Sequence, residues 1–193
     1  VHKGGVKKGD ATRAQIVAAA AELLDSQGYH GTGINAVLVK AGAPRGSLYF
    51  HFPGGKDEIA TAAISQTAEL IEHALVAAFA RYKRSEHAVR EVFQLFEARL
   101  VESNYACGCP ISTVSLELSG SDSPVLAACA RAYESWTREI AKALEPSLGR
   151  SAMDRASLIL SLVEGALLLS RATRSLKPLQ TAERHCLELV KAD

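Results

Sequence analysis

Along this chain the apolar residues recur at intervals of three and four, the spacing that gathers them on one face of an α-helix. In "DATRAQIVAAAAELLDSQG", residues Ile16, Ala20, Leu23 and Leu24 share a face; Asp10 is placed to cap the start and Gly28 to end it. "GINAVLVKAG" repeats the pattern over a shorter span, with Ile34, Val37, Leu38 and Ala41 inward and Gly42 as the stop. "PRGSLYFHF" is the third helix. Pro44 suits a first helical position, Leu48 and Phe52 lie on the inner face, and Pro53, Gly54 and Gly55 terminate it.

Beyond residue 55 the predicted helices lengthen. Residues 56–83 carry a stripe of Ile59, Ala63, Leu70, Ile71, Leu75, Ala78, Phe79 and Tyr82. Residues 86–103 carry Val89, Val92, Phe93, Phe96 and Leu100. "CGCP" interrupts the pattern, and Pro110 precedes a short helix, "ISTVSLELSG". Ser123 and Pro124 open the next helix, which runs to Pro146. Ser151, answered by Asp154 much as in a capping box, opens residues 151–174, and residues 178–191 form the last helix. No strand-like alternation of four or more residues stands out. The expected fold is all-α, with about nine helices in total.

Composition agrees: 48% of residues are hydrophobic and only 6% aromatic, in a chain dominated by alanine and leucine. The net charge of +1 conceals an asymmetry. Residues 1–55 hold six lysines and arginines against three acids, a charge of +3, so the remainder carries −2. A basic head on a mildly acidic body points to a polyanionic partner for the head. "VHKGGVKKGDATR" lacks the apolar core of a signal peptide. The most apolar stretch, residues 156–170, is shorter than a membrane span and contains Glu164. A cytoplasmic location without a membrane partner is expected, with residues 1–9 a mobile arm.

The three short helices, with a tight glycine turn between the second and third, have the signature of a helix-turn-helix module. Gly42 allows the sharp turn, and Leu48 and Phe52 anchor the third helix from below. Arg45, Gly46, Ser47, Tyr49 and His51 are left on the outer or flanking surface. An arginine can make paired hydrogen bonds to a guanine edge. Gly46 lets the helix sit close to a groove floor, and Tyr49 and His51 can donate to phosphate oxygens. Lys56 opens the following helix, where its amine and the free backbone N–H groups suit a phosphate.

The stretch "TRAQIVAAAAELLDSQGYHGTGINAVLVKAGAPRGSLYFHFPGGKDEI" resembles the DNA-binding domain of TetR-type bacterial transcriptional regulators. The resemblance rests on the Ala-Ala-Leu run, "GYHGTG", "AG" before the recognition helix, G-x-L-Y-x-H-F, and the lysine that follows, over about 50 residues. "CGCPISTVSLELS" and "LVEGALLLSRATRS" resemble, more loosely, the ligand-binding half of the LmrA and YxaF subgroup. The resemblance implies a helix-turn-helix domain at residues 1–55 and a ligand-binding and dimerisation bundle at 56–193. It implies a homodimeric repressor that reads a pseudo-palindromic double-stranded operator and is released by a small hydrophobic effector. It adds Thr32 as a phosphate contact and Asn35 near the groove. Pro44 departs from the pattern, because many members carry a serine or threonine there, so a phosphate contact at that position is not carried over.

The remaining chemistry is sparse. Cys107 and Cys109 form a C-x-C pair in a loop, the basis of an alternative reading as a thiol-based redox-sensing regulator or, further off, a helical cysteine-dependent enzyme. No spaced Cys/His set for zinc and no activating base beside either thiol is evident, so no metal, cofactor or catalysis is expected. Cys129 and Cys186 are expected in the core or at an interface. Phe93, Phe96, Tyr133, Trp136 and Glu164 are the candidate ligand-cavity residues, with Arg171 an alternative partner for Glu164. Residues 151–174 are apolar on nearly every side between Leu158 and Leu169, so this helix and 178–191 are expected to meet a second copy of the chain in a two-fold dimer.

Overall fold

The computed structural model describes residues 8–191, and their regular structure is helical. In chain order the helices are α1 (Lys8–Gly31), α2 (Ile34–Ala41), α3 (Ser47–His51), α4 (Gly55–Arg81), α5 (Ser85–Glu102), α6 (Pro110–Glu117), α7 (Pro124–Leu148), α8 (Ala152–Thr173) and α9 (Lys177–Leu189). A 3-10 turn, Gly149–Ser151, precedes α8. The all-α expectation is met, with no strand among the described residues. Of the arm expected at residues 1–9, positions 1–7 lie outside the described residues, and positions 8 and 9 already belong to α1.

Several boundaries differ from expectation for local reasons. Asp10 does not cap α1; it sits inside the first turn, where a carboxylate still favours the helix dipole. Ser151 does not cap α8 either. It ends the 3-10 turn and its hydroxyl donates back to the Leu148 carbonyl at 2.9 Å. Ser123 does cap α7, accepting from the Val125 N–H at 3.1 Å, with Pro124 at the first helical position. Leu70, expected on the inner stripe of α4, is 65% exposed. Consecutive helical residues point about 100° apart, so Leu70 and Ile71 cannot both face inward.

By proximity of their residues the chain divides into two compact units. One comprises Val1–Thr67 and Pro110–Cys129, the other Ala68–Cys109 and Ala130–Asp193. In the first unit α1 packs on α2 and on α6. Its core is built from Ile16 and Leu24 of α1, Leu38 of α2, Leu48 and Phe52 about α3, Ile59 and Ile64 of α4, and Ile111 and Val114 of α6. In the second unit α9 packs on α5 and α8. Phe93, Leu100, Trp136, Leu144, Leu167 and Leu179 are its largest buried side chains. A window inside Pro124–Thr173 is apolar enough to cross a membrane by length and composition, more than the sequence reading allowed. Within the second unit, however, α8 buries Ala156, Ile159, Val163, Ala166 and Leu167, as a core helix does.

Gly28 breaks α1 before its last turn. Its φ of 70° and ψ of −175° belong to a region that only glycine occupies without strain. The Thr32 hydroxyl donates to the Gly28 carbonyl at 2.7 Å, and the Glu117 carboxylate at the end of α6 accepts from the His30 N–H at 2.8 Å. Glu117 lies so close that a Cβ on Gly28 would stand 1.9 Å from its Oε1. Gly28→Ala is therefore expected to destabilise the fold by about 1–3 kcal/mol from the backbone alone. Glu117→Ala, which exposes one amide, should cost only about 0.5–1.5 kcal/mol. Urea denaturation of both variants checks the order, and adding Glu117→Ala to Gly28→Ala should leave most of the loss in place.

Candidate nucleic-acid interface and ligand cavity

α2 ends at Gly42, whose left-handed backbone (φ 62°, ψ 24°) turns its N–H back to the Leu38 and Val39 carbonyls. The Ala43 N–H adds a bond to the Leu38 carbonyl at 3.0 Å, completing a tight C-terminal cap. The chain then makes a turn rather than the helix expected from Pro44. The Ser47 N–H donates to the Pro44 carbonyl and the Leu48 N–H to the Arg45 carbonyl, at 3.0 and 3.3 Å. α3 is thus five residues long, and Arg45 and Gly46 precede it. Leu48 and Phe52 are buried beneath it, and the Arg13 guanidinium of α1 lies 4.9 Å from the centre of the Phe52 ring.

These anchors leave Arg45, Gly46 and Tyr49 exposed on α3 and the turn before it, with Tyr49 at 70%. His51 is half-buried, edge-on to the Phe50 ring at 4.9 Å. Asn35 is exposed on α2. Gly46 has ordinary helical angles (φ −67°, ψ −20°), and a Cβ added there would meet nothing within 4 Å. Nothing within the fold therefore requires glycine at this position. Ser47 is part-way inward, its hydroxyl donating to the Pro44 carbonyl at 2.6 Å.

Two of the residues expected to meet phosphate also have partners within the fold. Thr32 is 4% exposed and its hydroxyl proton is committed to Gly28, so it braces the α1–α2 turn from within. At the start of α4 the amides are not all free, since the Gly54 N–H donates to the Glu58 carboxylate at 2.8 Å. Lys56 is half-buried, its ammonium 4.3 Å from the centre of the Tyr29 ring. The Tyr29 hydroxyl in turn donates to Asp57. Burial, and then the hydrogen bond and negative charge of Asp57, push the Tyr29 phenol up to about 12, so it stays neutral.

Sequence reasoning missed Tyr29 and Phe50. Phe50 is 80% exposed on α3. The signal was available, because the inner face set by Leu48 and Phe52 forces the residue between them outward.

In the second unit a narrow cavity of about 40 Å³ lies among α4, α5, α7 and α8. Phe93, Phe96, Trp136 and Glu164 line it as expected, joined by Phe79 and Cys109. Tyr133 does not line it; it stands edge-on to Trp136 with ring centres 5.7 Å apart. The Trp136 indole N–H donates to the Ala68 carbonyl at 3.0 Å, which fixes the ring. Arg171 donates to the Ala106 carbonyl at 2.9 Å.

The Cys107–Cys109 loop is held by Arg171 of α8 and by Arg174, the residue that caps its C-terminus. Arg171 closes over Gly108, and Arg174 donates to Asn104 Oδ1 at 2.6 Å, where Asn104 and Tyr105 are both left-handed (φ 52° and 63°). None of the four cysteines is joined in a disulfide; Cys107 is half-buried and the others are buried. Burial raises the Cys129 thiol, with the Ser115 hydrogen bond acting in the opposite sense. Burial and the Glu183 charge push Cys186 up to about 12. Both are core thiols without thiolate character.

The α2–turn–α3 unit under a head of three packed helices defines the class: a helix-turn-helix, DNA-binding transcriptional regulator. Residues 16–63 match the model of bacterial regulatory proteins of the tetR family, and residues 85–185 match that of the LmrA/YxaF-like transcriptional regulator C-terminal domain. The HTH-type transcriptional regulator LmrA of Bacillus subtilis is 30% identical over 170 residues, covering 87% of this chain and 90% of that protein. An uncharacterized HTH-type transcriptional regulator of Mycobacterium tuberculosis is 31% identical over 191 residues, covering 94% of this chain and 95% of that one. The crystal structure of a regulatory protein TetR from Rhodobacter sphaeroides superposes with a TM-score of 0.80 at 21% identity, covering 92% of this chain and 98% of that one. The chain belongs to the TetR family of bacterial transcriptional regulators, and its relatives are regulators rather than enzymes.

The Tyr29 environment can be read directly. A phenol whose folded pKa exceeds the ordinary value of about 10 adds stability below that pH and loses it as pH rises through the folded value. In an ultraviolet titration Tyr29 should ionise late, near pH 12, and Tyr29→Phe should remove that late step.

Proposed function

We propose that this regulator is a one-component repressor. Two copies bind a pseudo-palindromic operator, each through one reading head at residues 1–55, and a small hydrophobic effector in the 56–193 body releases the DNA. The observation that carries this reading is Gly46: an exposed, unstrained glycine that no packing contact requires, flanked by exposed Arg45 and Tyr49. A surface that keeps a glycine without an internal reason is shaped by what lies against it, and a groove floor is such a neighbour.

Arg45 reads a base edge. Asn35, Ser47, Tyr49, His51 and Lys56 position the head on the backbone, and Thr32 acts indirectly by bracing α2. The dimer is supported by the outer row of α8, where Leu158, Leu168 and Leu169 are exposed around Gly165. A Cβ at Gly165 would meet nothing within 4 Å, which leaves room for the helix of a second copy. The apolar lining of the cavity supports the effector. Drug-sized ligands occupy roughly 300–1,000 Å³, so an effector must push the lining helices apart. The chain runs without a break along α4 from Lys56 into that lining at Ile71, Leu75 and Phe79. An effector that prefers the expanded state thereby disfavours DNA binding.

Three variants test the reading on the inverted repeat recovered from DNA beside the gene. Gly46→Ala should raise stability by about 0.4–1 kcal/mol while weakening operator binding; unchanged binding would refute the assignment. Arg45→Ala should cost about 1–3 kcal/mol and relax preference at one base pair in each half-site. Leu168→Glu should yield monomers in sedimentation and abolish tight operator binding without unfolding the head.

A further inference from the structure

Phe50 belongs neither to the core nor to the polar groups assigned above to DNA. It is 80% exposed on α3. A single exposed apolar side chain needs no explanation in itself; its position here does. Leu48 and Phe52 are buried on the inner face of α3. Successive helical residues turn by about 100°, so the residue midway between those two points directly outward. Gly46, four positions earlier and with helical angles (φ −67°, ψ −20°), falls on that same outer face. A helical side chain leans over the turn that precedes it. The Phe50 ring therefore lies towards the gap that Gly46 leaves, where an added Cβ would meet nothing within 4 Å. The half-buried His51 ring stands edge-on to it, 4.9 Å between centres, and steadies it from the side.

A docking that brings Gly46 against a groove floor brings Phe50 with it. Phosphate oxygens offer nothing to a ring without a donor, and stripping their water against an apolar surface costs free energy. The base edges of the major groove present donors and acceptors, and the one apolar substituent among them is the C5 methyl group of thymine. A ring seated on that methyl removes two apolar surfaces from water at once. Tyr49, beside it, carries a hydroxyl and keeps its role on the backbone. We infer that Phe50 is a specificity-determining residue of this regulator and reads the methyl group of one thymine in each half-site. This inference rests on the operator-binding reading above and adds a base to it. Arg45 selects by hydrogen bonds, and Phe50 selects by the presence of a methyl group.

The probe is a duplex carrying the inverted repeat beside the gene, with each thymine of the half-site replaced in turn by deoxyuridine in both halves. Deoxyuridine pairs as thymidine does and lacks only the methyl group. At one position the replacement should weaken binding by about four-fold per half-site, or about fifteen-fold for the two contacts together, the ratio that one buried methyl group carries. Phe50→Ala should bind the thymine duplex about as weakly as the unmodified protein binds the deoxyuridine duplex, and should no longer distinguish the two. Phe50→Leu, which keeps an apolar tip, should retain part of the distinction. Arg45→Ala should bind more weakly but retain the distinction in full. Because Phe50 touches no phosphate, Phe50→Ala should leave the slope of log K against log salt concentration unchanged. Thermal midpoints of the variants, expected to match the unmodified protein because Phe50 and Arg45 are exposed, show that they are folded. Three results overturn the inference while operator binding stands: no position sensitive to deoxyuridine, a sensitivity that persists in Phe50→Ala, or a shallower salt slope in that variant. Failure to bind the unmodified repeat overturns both readings.

Discussion

A helix of five residues has no stability of its own in water, since the cost of nucleating it exceeds what one or two internal hydrogen bonds return. α3 is such a helix, and the whole reading head is organised around supplying what it lacks. Leu48 and Phe52 pin it to the core from below, and Arg13 covers the Phe52 ring. Gly42 sets the angle at which the chain enters, and the turn bonds to the Pro44 and Arg45 carbonyls hand it its first amides already oriented. Because its own backbone contributes so little, the outer residues of α3 are free to vary, provided the two anchors remain.

Much of this was legible beforehand. The three-and-four spacing located every long helix to within a few residues. The two anchors of α3, four apart, fixed which side of it faced out. What escaped was whatever depended on backbone angles and packing that the apolar spacing does not encode. Nothing local reveals that Thr32 turns inward, because its burial follows from the bend at Gly28 and not from its neighbours. The length of α3 was overestimated because Pro44 is equally at home in a helix start and in a turn. Tyr133 and Trp136, three apart on α7, look alike as cavity candidates; only packing decides that the indole lines the space and the phenol braces it.

Under the proposed ligand-responsive reading, the narrowness of the cavity bears on how a signal begins. A space of about 40 Å³ holds little more than a water molecule or two. Any effector must therefore create its own room, and the work of separating packed side chains is subtracted from its affinity. That same work is what makes the occupied state differ from the empty one. A roomy, preformed pocket would bind more tightly and change the protein less. Trp136 is tethered to this wall through its indole N–H, which donates to the Ala68 carbonyl.

The contact between Glu117 and the His30 amide ties the end of α6 to the bend in α1, although 87 positions separate them in the chain. Anyone assembling a hybrid regulator, with the head of this protein on the body of another, faces a practical consequence. A graft cut at residue 55 would carry the bend and leave its distant cap behind. The transplant would arrive with an uncapped amide and a glycine made for a carboxylate no longer there, so α6 has to travel with the head it serves.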